Sequence, residues 1–281
     1  HCVGAMVGFL EVGIKVYAGR LEKRSGLMIM SRCHGFWALG IFAGSAIVTL
    51  LGGVPSLVGL VSIAVASAAI GFWVAVRMPQ LGEDDETGEA LPRRRFNQLP
   101  VALIFVATFM FLITLTEGSM ADWAAVYLAE RLGDPGARAG IAVTIFSGFM
   151  AGGRFIGDWL KARLGAVRMA RVTVGAAFLG LLLLVLPLPL IFVYPGYALV
   201  GFGVSAAYPL GVSAIAALDD RYESANIAIM ATVALGGFLF GPPLIGFLSE
   251  AYSLAIGLGA LLPCLVIALW LTRWLAPDSG N

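Results

Sequence analysis

In a chain this apolar, each ionisable residue within a long hydrophobic run requires an explanation. Glu11 and Lys15 lie four apart in the first such run, a spacing that places them on one helix face and lets each neutralise the other. Arg154 and Asp158 repeat that spacing at the end of another run. Glu117 stands in the middle of a long apolar stretch and is followed by Asp122, Trp123 and Tyr127. An ionisable side chain at membrane depth costs about 2.5–3.5 kcal/mol on insertion scales, so those that persist pair with one another or face a wet cavity. Glu11 therefore reads either as a group that takes up and releases a proton or as half of a structural ion pair; the neighbouring lysine favours its charged form and works against proton uptake. The acid, indole and phenol after Glu117 suit a polyhydroxylated or cationic ligand through hydrogen bonds and ring stacking. The alternative is that Asp122, Trp123 and Tyr127 are anchors at the outer headgroups.

Other chemistries find no constellation. Cys2, Cys33 and Cys264 are scattered, and His1 and His34 do not cluster with them, so neither a metal site nor a redox pair is expected. There is no serine–histidine–acid set and no glycine loop following a strand. The expectation is a protein that is not an enzyme, with no metal and no cofactor.

The elements that must hold these residues are helices in a bilayer. Of 281 residues, 59% are hydrophobic and 12% charged, and the mean hydropathy is +0.92. The runs are close to the ~20 residues a helix needs to cross the hydrocarbon, and they lack the ten-residue alternation of outer-membrane barrels. An all-α, polytopic helical bundle follows, with nine spans near Cys2–Gly19, Gly35–Gly52, Leu57–Val76, Leu99–Leu128, Ala139–Gly157, Ala170–Leu186, Leu190–Ala214, Ala225–Leu248 and Leu254–Trp274. Basic residues follow every odd-numbered span, whereas the even-numbered exits hold only Arg131 and Arg138, so the C-terminus is expected in the cytoplasm. The polar stretch 77–98, acidic first and basic last, reads as a cytoplasmic linker between residues 1–76, with three spans, and residues 99–281, with six. A chain that opens at His1 inside an apolar run is expected to be a fragment without its own N-terminus.

Span four, at thirty residues and about 45 Å, exceeds a hydrocarbon core of roughly 30 Å and must project outward or break; Glu117, Gly118 and Ser119 mark the expected break, lining a cavity. Gly241, Pro242 and Pro243 should kink span eight. Gly40 and Gly44 have the spacing of a packing seam in span two.

Gly153, Arg154, Gly157, Asp158, Gly165 and Arg168 form a pattern that resembles the signature loop of the major facilitator superfamily, G-x-x-x-D-R-x-G-R-R, in the copy between helices eight and nine. Trp159 stands where an arginine is usual. The stretches EGSMADWAAVYL (117–128), MSRCHGFWALG (30–40) and GFLFGPPLIG (237–246) resemble a bacterial inner-membrane subgroup related to the fucose and galactose permeases. The resemblance implies that the nine spans are helices four to twelve of twelve. It also implies a transporter, without fixing the substrate; the leading expectation is a secondary active transporter working by alternating access, a proton-coupled symporter of a small polar solute such as a sugar. Its partners would be that solute, protons and the lipid bilayer, with no nucleic acid, and it would be a monomer. The resemblance makes Glu11 a coupling carboxylate and makes Asp158 a cytoplasmic latch on the start of span two near Ser31. Two other readings stand beside it: an exporter of drugs or metabolites, although the antiporters' glycine–proline motif is absent from span two, and a non-transporting scaffold or sensor.

Overall fold

The computed structural model describes residues 17, 21, 30–50, 56–78, 99–133, 139–218 and 222–276. All of span one but Tyr17, including Glu11 and Lys15, and linker residues 79–98 lie outside the described residues. Among the described residues all regular structure is helical: α1 Met30–Leu50, α2 Ser56–Arg77, α3 Val101–Leu132, α4 Gly140–Leu164, α5 Ala166–Val185, α6 Val193–Val204, α7 Ala207–Ala216, α8 Glu223–Ala251, α9 Leu254–Gly259 and α10 Leu261–Leu271, with 3-10 turns at Leu190–Phe192 and Thr272–Leu275. Seven helical segments among these residues are long and apolar enough to cross a membrane, and Gly35–Leu50 is a shorter apolar helix.

The chain forms two compact units, residues 1–37 with 54–89, and residues 38–53 with 90–281. In the first, α2 is exposed almost throughout and apolar, and its last turn stacks Arg77 over the Trp73 ring at 4.8 Å. The second holds the buried core. Within it, the end of α1 packs on α4: Thr144 donates to Ser45 (3.1 Å), and a methyl placed on Gly148 would meet the Phe42 ring at 2.9 Å. Gly40 and Gly44 have nothing within 4 Å of such a methyl, so the expected seam lies instead along Phe42, Ser45 and Thr49.

Local chemistry explains the helix ends. Pro100 precedes α3, where its missing N–H leaves no helical bond unmade. Gly133, at φ 65°, closes α3 in the left-handed conformation. Gly165, at φ 74°, caps α4 and starts α5.

Span four does not break. Val101–Leu132 is one continuous helix of 32 residues, about 48 Å long, and Gly118 serves close packing instead. A Cβ on Gly118 would lie 2.6 Å from the Phe238 carbonyl oxygen, the acceptor that Pro242, lacking an N–H, leaves without its helical donor. Likewise, a Cβ on Gly241 would lie 2.5 Å from the Leu115 oxygen. These glycines let α3 and α8 touch backbone to backbone, the small-residue packing favoured in membranes. Both prolines sit inside an uninterrupted α8. The interruptions fall elsewhere. Span seven divides at Ser205–Ala206 and span nine at Ala260. Pro209 and Pro263 lie four residues beyond Ser205 and Gly259, whose carbonyls lose their helical donors.

Candidate functional site

Glu117 lies near the midpoint of α3, about 24 Å from its first residue. The buried face around it carries Ile113, Met120 and Ala124, and Thr116 and Ser119 are also buried. The Thr116 and Ser119 hydroxyls are spent on the helix's own carbonyls, at Leu112 (3.1 Å) and Leu115 (2.8 Å). Glu117 has the other fate available to a buried acid, a partner of opposite charge. Arg154 Nη2 on α4 donates to Glu117 Oε1 at 2.9 Å, with the two side chains 7% and 10% exposed. Arg154 turns inward to Glu117, across 37 residues of sequence, while Asp158 is exposed. The spacing of four that joined Arg154 to Asp158 compares residues along one helix only. No sequence spacing marks the observed pair: Arg154 stands three residues before the end of span five as hydropathy bounds it, and only the longer α4 places it mid-helix.

The residues after Glu117 make interhelical contacts. Trp123 Nε1 donates to the Pro242 carbonyl at 3.0 Å, and its ring lies 3.2 Å from where a Gly246 methyl would be. Thr114 Oγ1 donates to Ala234 O at 2.6 Å on the other side of the glycine contacts. Tyr127, which is buried, donates its hydroxyl proton to Leu184 O near the end of α5. Arg131 joins that end, with Nη2 donating to Leu188 O at 2.7 Å, and Tyr197 of α6 donates to Ala124 O at 2.9 Å. A cation and one phenol, Arg131 and Tyr127, thus meet the last carbonyls of α5, the negative end of the helix dipole, while Tyr197 ties α6 to α3. Asp122 is exposed.

The signature-like residues divide between packing and surface. Gly153 is buried against Ser205 and Phe202, Gly157 lies 3.7 Å from the Met169 methyl by its notional Cβ, Gly165 makes the turn, and Arg168 is exposed. Lys161 donates to Ser213 at 2.8 Å, tying α4 to α7, and Arg163 stacks on Trp159 at 4.5 Å. Among the described residues no group of three or more metal-ligating side chains occurs.

Membrane-length helices around a buried carboxylate–guanidinium pair define a polytopic helical membrane protein with a charged centre. The chain belongs to the Major Facilitator Superfamily, whose family profile matches residues 2–226. It is 29% identical to an uncharacterized transporter of Sinorhizobium fredii over 90% of this chain and 67% of that protein. It is 28% identical to an uncharacterized MFS-type transporter of Yersinia pestis, over 92% and 66%, and 26% identical to the membrane protein MosC of Rhizobium meliloti, over 93% and 65%. The chain thus spans about two thirds of the length of these relatives. Among solved structures, a peptide transporter POT in complex with sulfate shares the fold, with a TM-score of 0.57 and 20% identity over 65% of this chain and 39% of that one.

Proposed function

We propose that this chain is part of a secondary active transporter that moves a small polar solute by alternating access, coupled to protons. The observation that carries the reading is the Glu117–Arg154 pair, two charges kept deep in a bundle whose lipid environment penalises both. A structural role alone is a weak reason to keep them, since well-packed apolar residues are often at least as stabilising as a buried ion pair. Membership of the superfamily and the likeness to proteins named as transporters support the same reading. Glu117 is the proton-coupling group, with Arg154 as its partner across the α3–α4 contact. Asp122, Trp123 and Tyr127 shape the same helix, the latter two as positioning residues because their polar atoms hold α8 and α5. Asp158, Arg168 and the Gly165 turn form the cytoplasmic gate, and the membrane is the bacterial inner membrane. The basic cluster Lys161, Arg163, Arg168 and Arg171 at the α4–α5 turn supports placing that turn inside.

The test is solute uptake with simultaneous proton flux by the full-length parent protein in proteoliposomes, using sugars, sugar acids and short carboxylic acids. The expected result is accumulation driven by a pH gradient and lost in Glu117→Gln. A folded parent protein that moves neither solute nor protons defeats the reading.

A further inference from the structure

We infer that the groove between α5 and α10, at the end of the bundle that carries the α4–α5 turn, binds one anionic phospholipid, whose phosphate meets Arg168, Arg171 and Arg273. The inference needs only that the chain crosses a bilayer, not the transport reading above.

Three arginines follow exposed tryptophans by one helical turn and lie over their rings: Arg77 on Trp73 at 4.8 Å, Arg163 on Trp159 at 4.5 Å and Arg273 on Trp270 at 3.7 Å. A stacked guanidinium uses its face, so the N–H donors around its edge stay available to phosphate oxygens. Arg131 differs, because its N–H groups are spent on Tyr127 and on the carbonyls of Leu184 and Leu188. Arg168, Arg171 and Arg273 are exposed and make no hydrogen bond or ion pair among the described residues.

Packing fixes where Arg273 lies. Leu271 and Leu275 are buried, Trp274 stacks on Phe105 of α3 at 4.5 Å, and the Thr272 hydroxyl donates to Leu269 O at 2.8 Å, which leaves Trp270 and Arg273 on the outside. Both α10 and the Thr272–Leu275 turn pack on α5. Phe105 belongs to the second turn of α3 and Arg168 to the first of α5, so these helix starts and the end of α10 share one face of the membrane. From there α5 presents Val172, Leu179 and Leu186 as an exposed apolar stripe in line with Arg168, and α10 presents Val266, Ile267 and Trp270 before Arg273. A basic head over apolar stripes matches a phospholipid, with its phosphate at headgroup level and its acyl chains along the helices.

Few acids compete. None occurs between Trp159 and Leu218 or between Ala251 and Pro277. The described acids toward the same end are the exposed Asp158 on α4 and Glu223 in the first turn of α8. The ammonium of phosphatidylethanolamine would add a positive charge to this cluster, whereas phosphatidylglycerol and cardiolipin bring only negative charge.

The experiment strips lipid from the full-length parent protein in detergent, titrates it with phosphatidylglycerol, cardiolipin or phosphatidylethanolamine, and counts bound lipid by native mass spectrometry. Thermal unfolding is the second readout. The expected result is one saturable phosphatidylglycerol or cardiolipin per chain, kept at concentrations where phosphatidylethanolamine is lost. Each of Arg168→Gln, Arg171→Gln and Arg273→Gln should weaken that binding about fivefold, and the three together on the order of a hundredfold. Arg93→Gln, Arg94→Gln and Arg95→Gln together remove the same charge from the linker and should leave it unchanged. Where the triple variant fails to fold, the unaltered protein still decides: millimolar inorganic phosphate or glycerol 3-phosphate should neither displace the lipid nor raise the unfolding temperature as the lipid does. Equal retention of phosphatidylethanolamine, equal weakening by the linker changes, stabilisation by free phosphate alone, or no retained lipid because another part of the parent protein covers the groove each overturns the inference.

Discussion

Replacing Gly118 with alanine tests the α3–α8 contact at its tightest point. The added methyl would lie 2.6 Å from the Phe238 carbonyl oxygen and 3.1 Å and 3.2 Å from its Cα and carbonyl carbon. All three are backbone atoms, so no rotamer change removes the clash, and reaching ordinary contact at 3.4 Å requires the helices to part by about 0.8 Å. That separation strains the hydrogen bonds on either side, Thr114 to Ala234 at 2.6 Å and Trp123 to Pro242 at 3.0 Å. Overpacking costs about 1–3 kcal/mol, interhelical bonds in membranes average about 0.6 kcal/mol each, and alanine recovers about 1 kcal/mol of helix propensity over glycine. The expected net loss is about 2 kcal/mol. Gly152→Ala is the control, since nothing lies within 4 Å of its added methyl, and it should be neutral or gain up to about 1 kcal/mol. Both are measured by reversible unfolding of the full-length parent in mixed detergent micelles, followed by helical circular dichroism. Equal stability of Gly118→Ala and Gly152→Ala would refute the close-approach argument.

Four further outcomes are expected. Trp123→Phe keeps the ring but deletes the donor to Pro242, and should cost about 0.6–1.5 kcal/mol in the same unfolding assay. Glu117→Ala, which removes the carboxylate that Arg154 Nη2 bonds, should cost up to about 3–5 kcal/mol, and the pair of changes Glu117→Leu with Arg154→Met should cost clearly less than that single change. Arg131→Met strips donors from Leu184 and Leu188, and a loss of about 1–3 kcal/mol is expected on thermal denaturation. A fluorescent protein fused after Asn281 should fluoresce, whereas an alkaline phosphatase fusion there should be inactive; the opposite pattern would reverse the orientation.

The helices were legible wherever bilayer thickness is the governing length. Span four, Leu99–Leu128, and span eight, Ala225–Leu248, correspond to α3 and α8 with ends displaced by a few residues. Hydropathy stopped span five at Gly157, but α4 runs to Leu164, because Lys161 and Arg163 satisfy their charges on Ser213 and Trp159 without ending the helix. Glycine and proline were harder to read. Their effect depends on what faces them: Gly118 reads as a hinge in sequence alone but abuts the Phe238 backbone, while Pro209 and Pro263 interrupt helices and Pro242 and Pro243 do not. At the centre, Glu117 was recognisable from its depth alone. Its partner was not, since a contact between two helices leaves no regular spacing in the sequence. Tyr127 and Trp123 carry two readings in the sequence, ligand contacts or headgroup anchors, and neither reveals the backbone carbonyls on neighbouring helices that the two side chains bond.

Gly165 is the sole residue between α4 and α5, with its N–H bonded to Lys161 O at 2.8 Å. A linkage that short allows the facing ends of the two helices to separate by only about 7 Å at full stretch. Any tilt of the rod carrying Arg154 must therefore drag its successor along, and that successor is tethered at its far end by Tyr127 and Arg131. A displacement begun at one face of the bilayer is thereby transmitted through covalent bonds to the opposite face, with no slack in the chain to absorb it.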